Sequence, residues 1–463
     1  MEGNGRLDFR GKKVIVMGLG VHGGGLGVAR FLVERGADVT VTDLKTEEQL
    51  RPSLDALRGL PIRYVLGRHR LEDLVGADML VRNPGVPAES PYLEAARRAN
   101  VRVEMEMGLF FELCPAPIIG ITGTKGKTTT TLLAGAILQQ VDPGAVVAGN
   151  LRVSALELLP KIGPQTPVVL ELSSWQIEGL AAHEVSPRVG VVTNVTPDHL
   201  NRYPSFGAYA QAKAGMLRWQ GQTDIAVLNR DDATVAGFVG EGRGQVMWFS
   251  RRQPVDGVYL DGDRVVLDWQ GRRQTLLALS DIRLPGEHNI ENVLAASAAA
   301  IAWGADPAAV RSGVGSFAGA EHRLEFVREL AGVRYYNDTT ATAPAAVLAA
   351  LRSFSCPIVL VAGGADKNLE FSELGEAIAR SVKALVLLEG TATDKLEAAV
   401  SAAGGAQNAG RYGDLGEAVR RARSLTAAGD VVLLSPGCAS FGMFQNEFER
   451  GTLFKQEVGN LTF

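Results

Sequence analysis

The apolar run Ile118 to Thr122 stops at Gly123-Thr124-Lys125-Gly126-Lys127-Thr128-Thr129 and gives way to a periodic apolar segment. This pattern predicts a buried strand, a glycine turn and a helix. Glycines let the backbone approach an anion, and a helix starting there aims its unpaired N–H groups and positive dipole end at the same point. A polyphosphate fits that description. Lys127 would reach the terminal phosphates as a charge, the hydroxyl of Thr128 or Thr129 would complete a magnesium shell, and Gly123, Thr124 and Gly126 would shape the loop. Ile121 stands where the longer pattern has its first glycine, so this is a shortened phosphate loop. The competing reading is an ordinary strand-to-helix turn.

A chain of 463 residues is long enough for about three domains, each with its own core. We place them at residues 1–114, 115–320 and 321–463, and the recurring strand, turn and helix pattern makes the fold class α/β. A net charge of -4 argues against nucleic acid or an anionic membrane as the main partner. Cys114, Cys356 and Cys438 are too few and too scattered for a disulfide framework or a zinc site. With no signal peptide and no apolar run of membrane length, the expected location is the cytoplasm.

In the first domain, a buried-strand pattern from Lys12 to Met17 runs into Gly18-Leu19-Gly20 and a glycine-rich stretch to Gly27, with a helix expected over Val28 to Arg35. A second strand, Asp38 to Thr42, ends at Asp43, where a dinucleotide-binding fold places an acceptor for a ribose or a base. This spacing fits a nucleotide of unspecified kind and leaves a dehydrogenase as a competitor. Asn83, before Pro84-Gly85, sits where backbone groups can meet a ligand at a strand's carboxyl end.

In the middle domain, the strands Pro167 to Leu170 and Val189 to Val195 deliver Glu171 and His199 to the edge that carries the phosphate loop. A carboxylate at the end of a buried strand needs a cation or donors, and magnesium supplies one. Lys213 lies on a helix, Phe206 to Met216, and reads from spacing as a solvated charge. Asn289 and Asn292 share a helical face and fit either an adenine edge or helix capping. In the last domain, strands ending near Tyr336, Ala362, Leu388 and Leu434 predict another doubly wound sheet. Lys367 and the hydroxyls of Thr342 and Ser440 stand on its rim, suited to a small carboxylate. Cys438 is either a nucleophile or a packing residue.

The ordered set GTKGKTT, ELSSWQIE, TNVTPDHLNRY, LPGEHNIEN, EHRLE, YNDTTAT and GGADK resembles the Mur ligase family over nearly the whole chain. The glycine-loop amino end, the overall length and SPGCAS are most similar to the family's D-glutamate-adding branch. This resemblance implies a Rossmann-like amino domain for the UDP substrate, a central P-loop ATPase with a parallel sheet, and a Rossmann-like carboxyl domain for the amino acid. It implies a cytoplasmic, monomeric enzyme of peptidoglycan precursor synthesis. ATP would phosphorylate the carboxylate of UDP-N-acetylmuramoyl-L-alanine, and the amine of D-glutamate would attack the acyl phosphate.

By the same resemblance, Lys127 contacts phosphates, Thr128 and Glu171 hold one magnesium ion, and His199 with a carbamylated Lys213 holds a second. Asn289, Asn292, Arg323 and Asp338 match the nucleotide contacts. Gly20, Asp43 and Asn83 fall near the uridine diphosphate, Asn150 near the muramoyl group, and Thr342, Lys367, Ser440 and Phe441 around the glutamate. Some positions depart from the family's pattern. Thr340 replaces a lysine, Asn446-Glu447-Phe448-Glu449 shifts an aromatic residue, and Leu151-Arg152 follows Asn150 in place of an Ile-Gly pair. They leave L-glutamate or another acidic amino acid as an alternative. A folylpolyglutamate-synthase-like ligase is a rival that has no use for the amino-terminal nucleotide fold.

Overall fold

Alternating apolar strands and half-apolar helices bury their faces against one another. Among the described residues they assemble into sheets of five, nine and six strands. The computed structural model describes residues 7–20, 23–151, 154–198 and 202–462. The chain divides into two compact units, Met1–Ile282 with Ile290–Gly315, and Arg283–Asn289 with Ser316–Phe463. The first unit holds the five- and nine-stranded sheets, and the second holds the six-stranded one. No described helix is long and apolar enough to cross a membrane.

The five-stranded sheet is parallel throughout, in the order Ile62–Leu66, Asp38–Asp43, Lys13–Met17, Met79–Arg82, Arg102–Met105. Its chain order reverses between Lys13–Met17 and Met79–Arg82, the switch point at which such sheets open a crevice. The helix expected from Val28 starts earlier, at Gly24, and ends at Glu34. Its glycines are there for close packing. A Cβ on Gly25 would lie 2.4 Å from the Gly18 carbonyl oxygen, and one on Gly27 would lie 2.1 Å from Ser154 Cβ.

In the nine-stranded sheet, Ile118–Thr122 lies between Val168–Glu171 and Val189–Val192. Val146–Gly149 closes one edge, and Ile225–Asn229, Gln245–Ser250 and Gly257–Asp261 extend the other in parallel. The parallel part of the sheet is extended at this edge by two further strands, Arg264–Trp269 and Arg272–Ala278, which run antiparallel. They are joined by tight hairpins, and Gln270 and Gly271 both adopt the positive φ that a two-residue hairpin requires. In the second unit, Val333–Asn337, Val431–Leu434, Ile358–Ala362, Val382–Leu388 and Gln407–Tyr412 are parallel neighbours. Glu325–Leu330 joins the edge as an antiparallel strand.

Within the first unit, the two sheets share one continuous apolar core running from Val14 and Val28 through Ala155 and Leu170 to Tyr209. Polar ties cross the same seam. Arg30 pairs with Glu157 at 2.5 Å, and Glu106 Oε1 accepts from the Ser154 hydroxyl and the Ala155 N–H. His183 Nε2 lies 2.7 Å from Glu104 Oε2, beside Arg102 and Glu112.

Candidate active site

Strand Ile118–Thr122 is buried along its length, so the chain leaves the middle of the nine-stranded sheet at Gly123. Gly126, at φ +82°, then turns it into helix Lys127–Gln139. Side chains would not fit here. A Cβ on Gly123 would lie 1.9 Å from Thr193 Oγ1, and one on Gly126 would lie 2.3 Å from Asn292 Oδ1. The loop is clamped from the neighbouring strand end. Asn194 Oδ1 accepts from the Lys125 N–H, Asn194 Nδ2 donates to the Lys125 carbonyl, and the Thr193 hydroxyl donates to that carbonyl at 2.7 Å. This clamp explains why the strand expected to reach Val195 ends at Val192.

Thr124 holds the loop and is not a free ligand. Its N–H donates to the Asn194 carbonyl, and its buried hydroxyl bonds Thr196 and Tyr209. The first turn of the helix presents its N–H groups, those of Thr128 and Thr129 among them, at the loop, where they suit an anion. Thr129 is buried and Thr128 partly exposed. Asn292 accepts from the Thr130 hydroxyl at 3.3 Å, packed under Gly126.

Two lysines converge on one oxygen. Lys127 Nζ donates to the Gly123 and Thr124 carbonyls at 3.0 and 3.1 Å, and Lys213 Nζ donates to the Gly123 carbonyl at 2.8 Å. Lys213 is not the solvated charge its spacing suggests, since only 2% of it is exposed and it sits 4.8 Å from the Tyr209 ring centre. Burial, helped by the neighbouring Lys127 charge and opposed by Asp198 and Glu171, pulls its amine down to about 7. At neutral pH a large share of it is therefore an uncharged nucleophile.

Glu171 ends strand Val168–Glu171 and is 2% exposed. Its Oε1 accepts from Asn150 Nδ2 at 2.8 Å, while Oε2 is buried with no hydrogen-bond partner among the described residues. A buried carboxyl oxygen without donors suits a cation. Asn150, expected near the muramoyl group, is thus also a residue that orients Glu171. Gly149 brings the two together, because a Cβ there would lie 2.2 Å from the Glu171 carbonyl oxygen. His199 lies outside the described residues.

In the five-stranded sheet, Asp43 Oδ2 accepts from the Gly20 N–H at 3.0 Å and Oδ1 accepts from the Lys45 N–H, so Asp43 fixes the glycine loop. Asn83 closes its own turn, accepting from the Gly85 N–H at 3.0 Å.

The second unit gathers another set. Asp338, just past strand Val333–Asn337, accepts from the Leu324 N–H and the Ser435 hydroxyl. Burial raises its carboxyl to about 7 against those bonds and the Arg323 charge. Lys367 Nζ donates to Thr342 Oγ1 at 3.1 Å. Reciprocal backbone bonds between Ala365 and Ala439 zip the Lys367 loop to the Ser440 loop. Ser440 is buried and Phe441 is exposed. The Thr340 hydroxyl donates to the His322 carbonyl, so Thr340 ties two loops together. Asn289 donates from its side chain to the Pro285 carbonyl at 2.6 Å. Cys438 is buried in the apolar core, and that burial pushes its thiol up to about 12, which fits the packing alternative.

Sequence reasoning missed Arg450. It is fully buried, donates to the Thr339 hydroxyl and carbonyl at 2.9 Å, and lies within 3.5 Å of the Cys438 carbonyl. Burial lowers its guanidinium to about 10. The helical position of Arg450 carries no local signal. Asn194 and Thr193 were legible only as part of a polar strand end.

Residues 12–104 match the Mur ligase MurD-like N-terminal domain, 121–300 the Mur ligase middle domain, and 322–438 the Mur ligase glutamate ligase domain. The chain is 52% identical to the UDP-N-acetylmuramoylalanine--D-glutamate ligase of Roseiflexus sp. (strain RS-1), covering 98% of this chain and all of that protein. It is 43% identical to the enzyme of the same name from Symbiobacterium thermophilum, covering 97% and 98%. Its fold is similar to that of UDP-N-acetylmuramate-alanine ligase MurC from Thermotoga maritima, with a TM-score of 0.61 at 18% identity, covering 96% and 99%. It is similar to MurF from Acinetobacter baumannii at a TM-score of 0.59 and 17% identity, covering 96% and 93%.

Proposed function

The chain belongs to the Mur ligase family, and from that premise we propose that it joins D-glutamate to UDP-N-acetylmuramoyl-L-alanine, with ATP converted to ADP and phosphate. The observation that carries this reading is the convergence of Lys127 and Lys213 on the Gly123 carbonyl, with Glu171 ending a neighbouring strand and its Oε2 without a hydrogen-bond partner among the described residues. A carboxylate is a poor electrophile. Transfer of the terminal phosphoryl group of ATP to the alanine carboxylate releases ADP and supplies a leaving group. The D-glutamate amine then adds to the carbonyl carbon, loses a proton, and phosphate departs as the amide forms. Lys127 is assigned to the phosphates, where it would exchange its carbonyl acceptors for phosphate oxygens as charge gathers there.

Mg2+ is the family's companion to ATP, and the donor set here suits it. Glu171 Oε2 and the Thr128 hydroxyl are oxygen ligands, and His199 is assigned to a second ion. When bound, magnesium would offset phosphate charge that Lys127 alone would leave in excess. We assign Lys213 as a carbamate in the working enzyme. Its neutral amine can add CO2 with loss of a proton, and burial favours that amine. Arg323 and Asp338 are assigned to the nucleotide with Asn289 and Asn292, and Thr342, Lys367, Ser440 and Phe441 to glutamate. Residues 1–114, 115–320 and 321–463 are assigned to the UDP substrate, ATP and the amino acid. The reaction belongs to peptidoglycan precursor synthesis in the cytoplasm, and the working form is assigned as a monomer.

Phosphate release from ATP tests the reading. It should require UDP-N-acetylmuramoyl-L-alanine and D-glutamate together. Release without the acceptor would overturn the ligase assignment, and equal turnover with L-glutamate would overturn the amino acid.

A further inference from the structure

The clamp on the phosphate loop is itself held from behind. Residues 193–196 follow the end of strand Val189–Val192, where the backbone has left the sheet ladder and its N–H and carbonyl groups need other partners. On the loop side, the Thr193 hydroxyl and the Asn194 side chain bond Lys125. The Asn194 carbonyl accepts from the Thr124 N–H, and the Thr196 N–H donates to Thr124 Oγ1. From the neighbouring strand end, Asn229 Nδ2 donates to the Thr193 carbonyl at 2.8 Å, and Asp232 Oδ2 accepts from the Val195 N–H at 3.0 Å.

Local structure fixes both anchors. Asn229 ends strand Ile225–Asn229, whose parallel register sets Leu228 beside Val192 and so brings Asn229 next to Thr193. It is buried, and its Oδ1 accepts from the Asp231 N–H, which closes the turn that follows. Asp232 caps helix Ala233–Ala236, its Oδ1 accepting from the Thr234 and Val235 N–H groups at 2.9 and 3.0 Å. One carboxylate oxygen therefore serves the cap and the other the clamp. Asp231 instead bonds the next strand end, accepting from the Ser250 hydroxyl and the Arg251 N–H. Gly123 and Gly126 leave the phosphate loop little stiffness of its own, so its neighbours set where its N–H groups point. A shift of about 1 Å in such a loop is enough to misplace a reacting phosphate.

We infer that Asp232 is a positioning residue for phosphoryl transfer, holding residues 193–196 so that the loop around Lys125 keeps the shape that fits a triphosphate. Asn229 is the second anchor of the same brace. The inference rests on the reading above that this loop takes ATP.

Steady-state phosphate release by the full-length protein, with each substrate varied in turn, tests it. Asp232→Asn keeps an oxygen for the helix cap and sets an amide NH2 against the Val195 N–H. Asp232→Ser keeps a capping hydroxyl but has no second oxygen for Val195. Each should lower kcat/KM for ATP by about 10- to 100-fold while KM for the UDP-linked acceptor holds. Asp231→Ala, which loses the Ser250 and Arg251 bonds of the same turn, should keep the wild-type KM for ATP. Adding Thr193→Val to Asp232→Asn should lower kcat/KM for ATP little beyond the larger single loss, because both act through one segment. Wild-type ATP kinetics in both Asp232 variants overturn the inference. So does a loss shared equally by ATP and acceptor, or matched by Asp231→Ala, with a lowered melting temperature, which marks a turn that only stabilises the fold. Fully additive losses in the double variant overturn the route through residues 193–196. A wild type that binds no ATP in calorimetric titration overturns the ATP reading itself.

Discussion

Lys213 shows what a side chain's setting does to its chemistry. The unfolded chain holds its proton up to the ordinary 10.5, and the folded protein releases it near 7. Between those values the unfolded state binds more protons, so stability rises with pH. In CO2-free buffer the wild type should gain up to about 1.4 kcal/mol per pH unit over that window from this group, and Lys213→Met should lack the slope in urea titrations. Glu171→Gln should separate stability from activity. Replacing a buried carboxylate oxygen that has no hydrogen-bond partner among the described residues should leave stability unchanged or raise it by about 1 kcal/mol, while phosphate release falls by at least about 100-fold. A large loss of stability in that variant would show Glu171 to be structural. Glu171 was legible in the sequence because an acid closing an apolar strand is conspicuous. Lys213 was not, because its burial depends on Tyr209 and on a loop 90 residues away.

At the scale of elements, the strand, glycine turn and helix around Gly123 were legible because every cue is local. The clamp from Thr193 and Asn194 was not, since it depends on which strand lies alongside. In the hairpins after Gly257, Asp261-Gly262 and Gln270-Gly271 are local turn signals, but the joining of these strands to a parallel sheet depends on the pairing of Gly257–Asp261 with Gln245–Ser250. Gly126→Ala tests how tightly the turn is built. Its φ of +82° and the Asn292 oxygen 2.3 Å from the new Cβ should cost at least about 2 kcal/mol in thermal unfolding and abolish turnover. Retained stability would mean that Asn292 yields readily and that the turn does not depend on glycine.

Over the whole molecule, a reading of repeated strand and helix units gave the layered architecture, but it did not show how firmly the first two sheets are joined. His183 links them through Glu104 and Glu112, beside Arg102, and the Glu104 hydrogen bond raises its proton affinity. A raised histidine stabilises most below its unfolded value of 6.5 and loses that contribution as pH climbs through the folded one. His183→Gln should therefore lower the melting temperature more at pH 6 than at pH 9, and an equal loss at both would rule out the charge as the cause.

The packing of Gly27 on Ser154, with Arg30 on Glu157 and Glu106 on Ser154, bears on protein engineering. A chimaera that takes its first 114 residues from a distant relative would set a foreign helix against residues 154–157. Exchange of acceptor specificity between relatives should succeed only when that short segment travels with the graft.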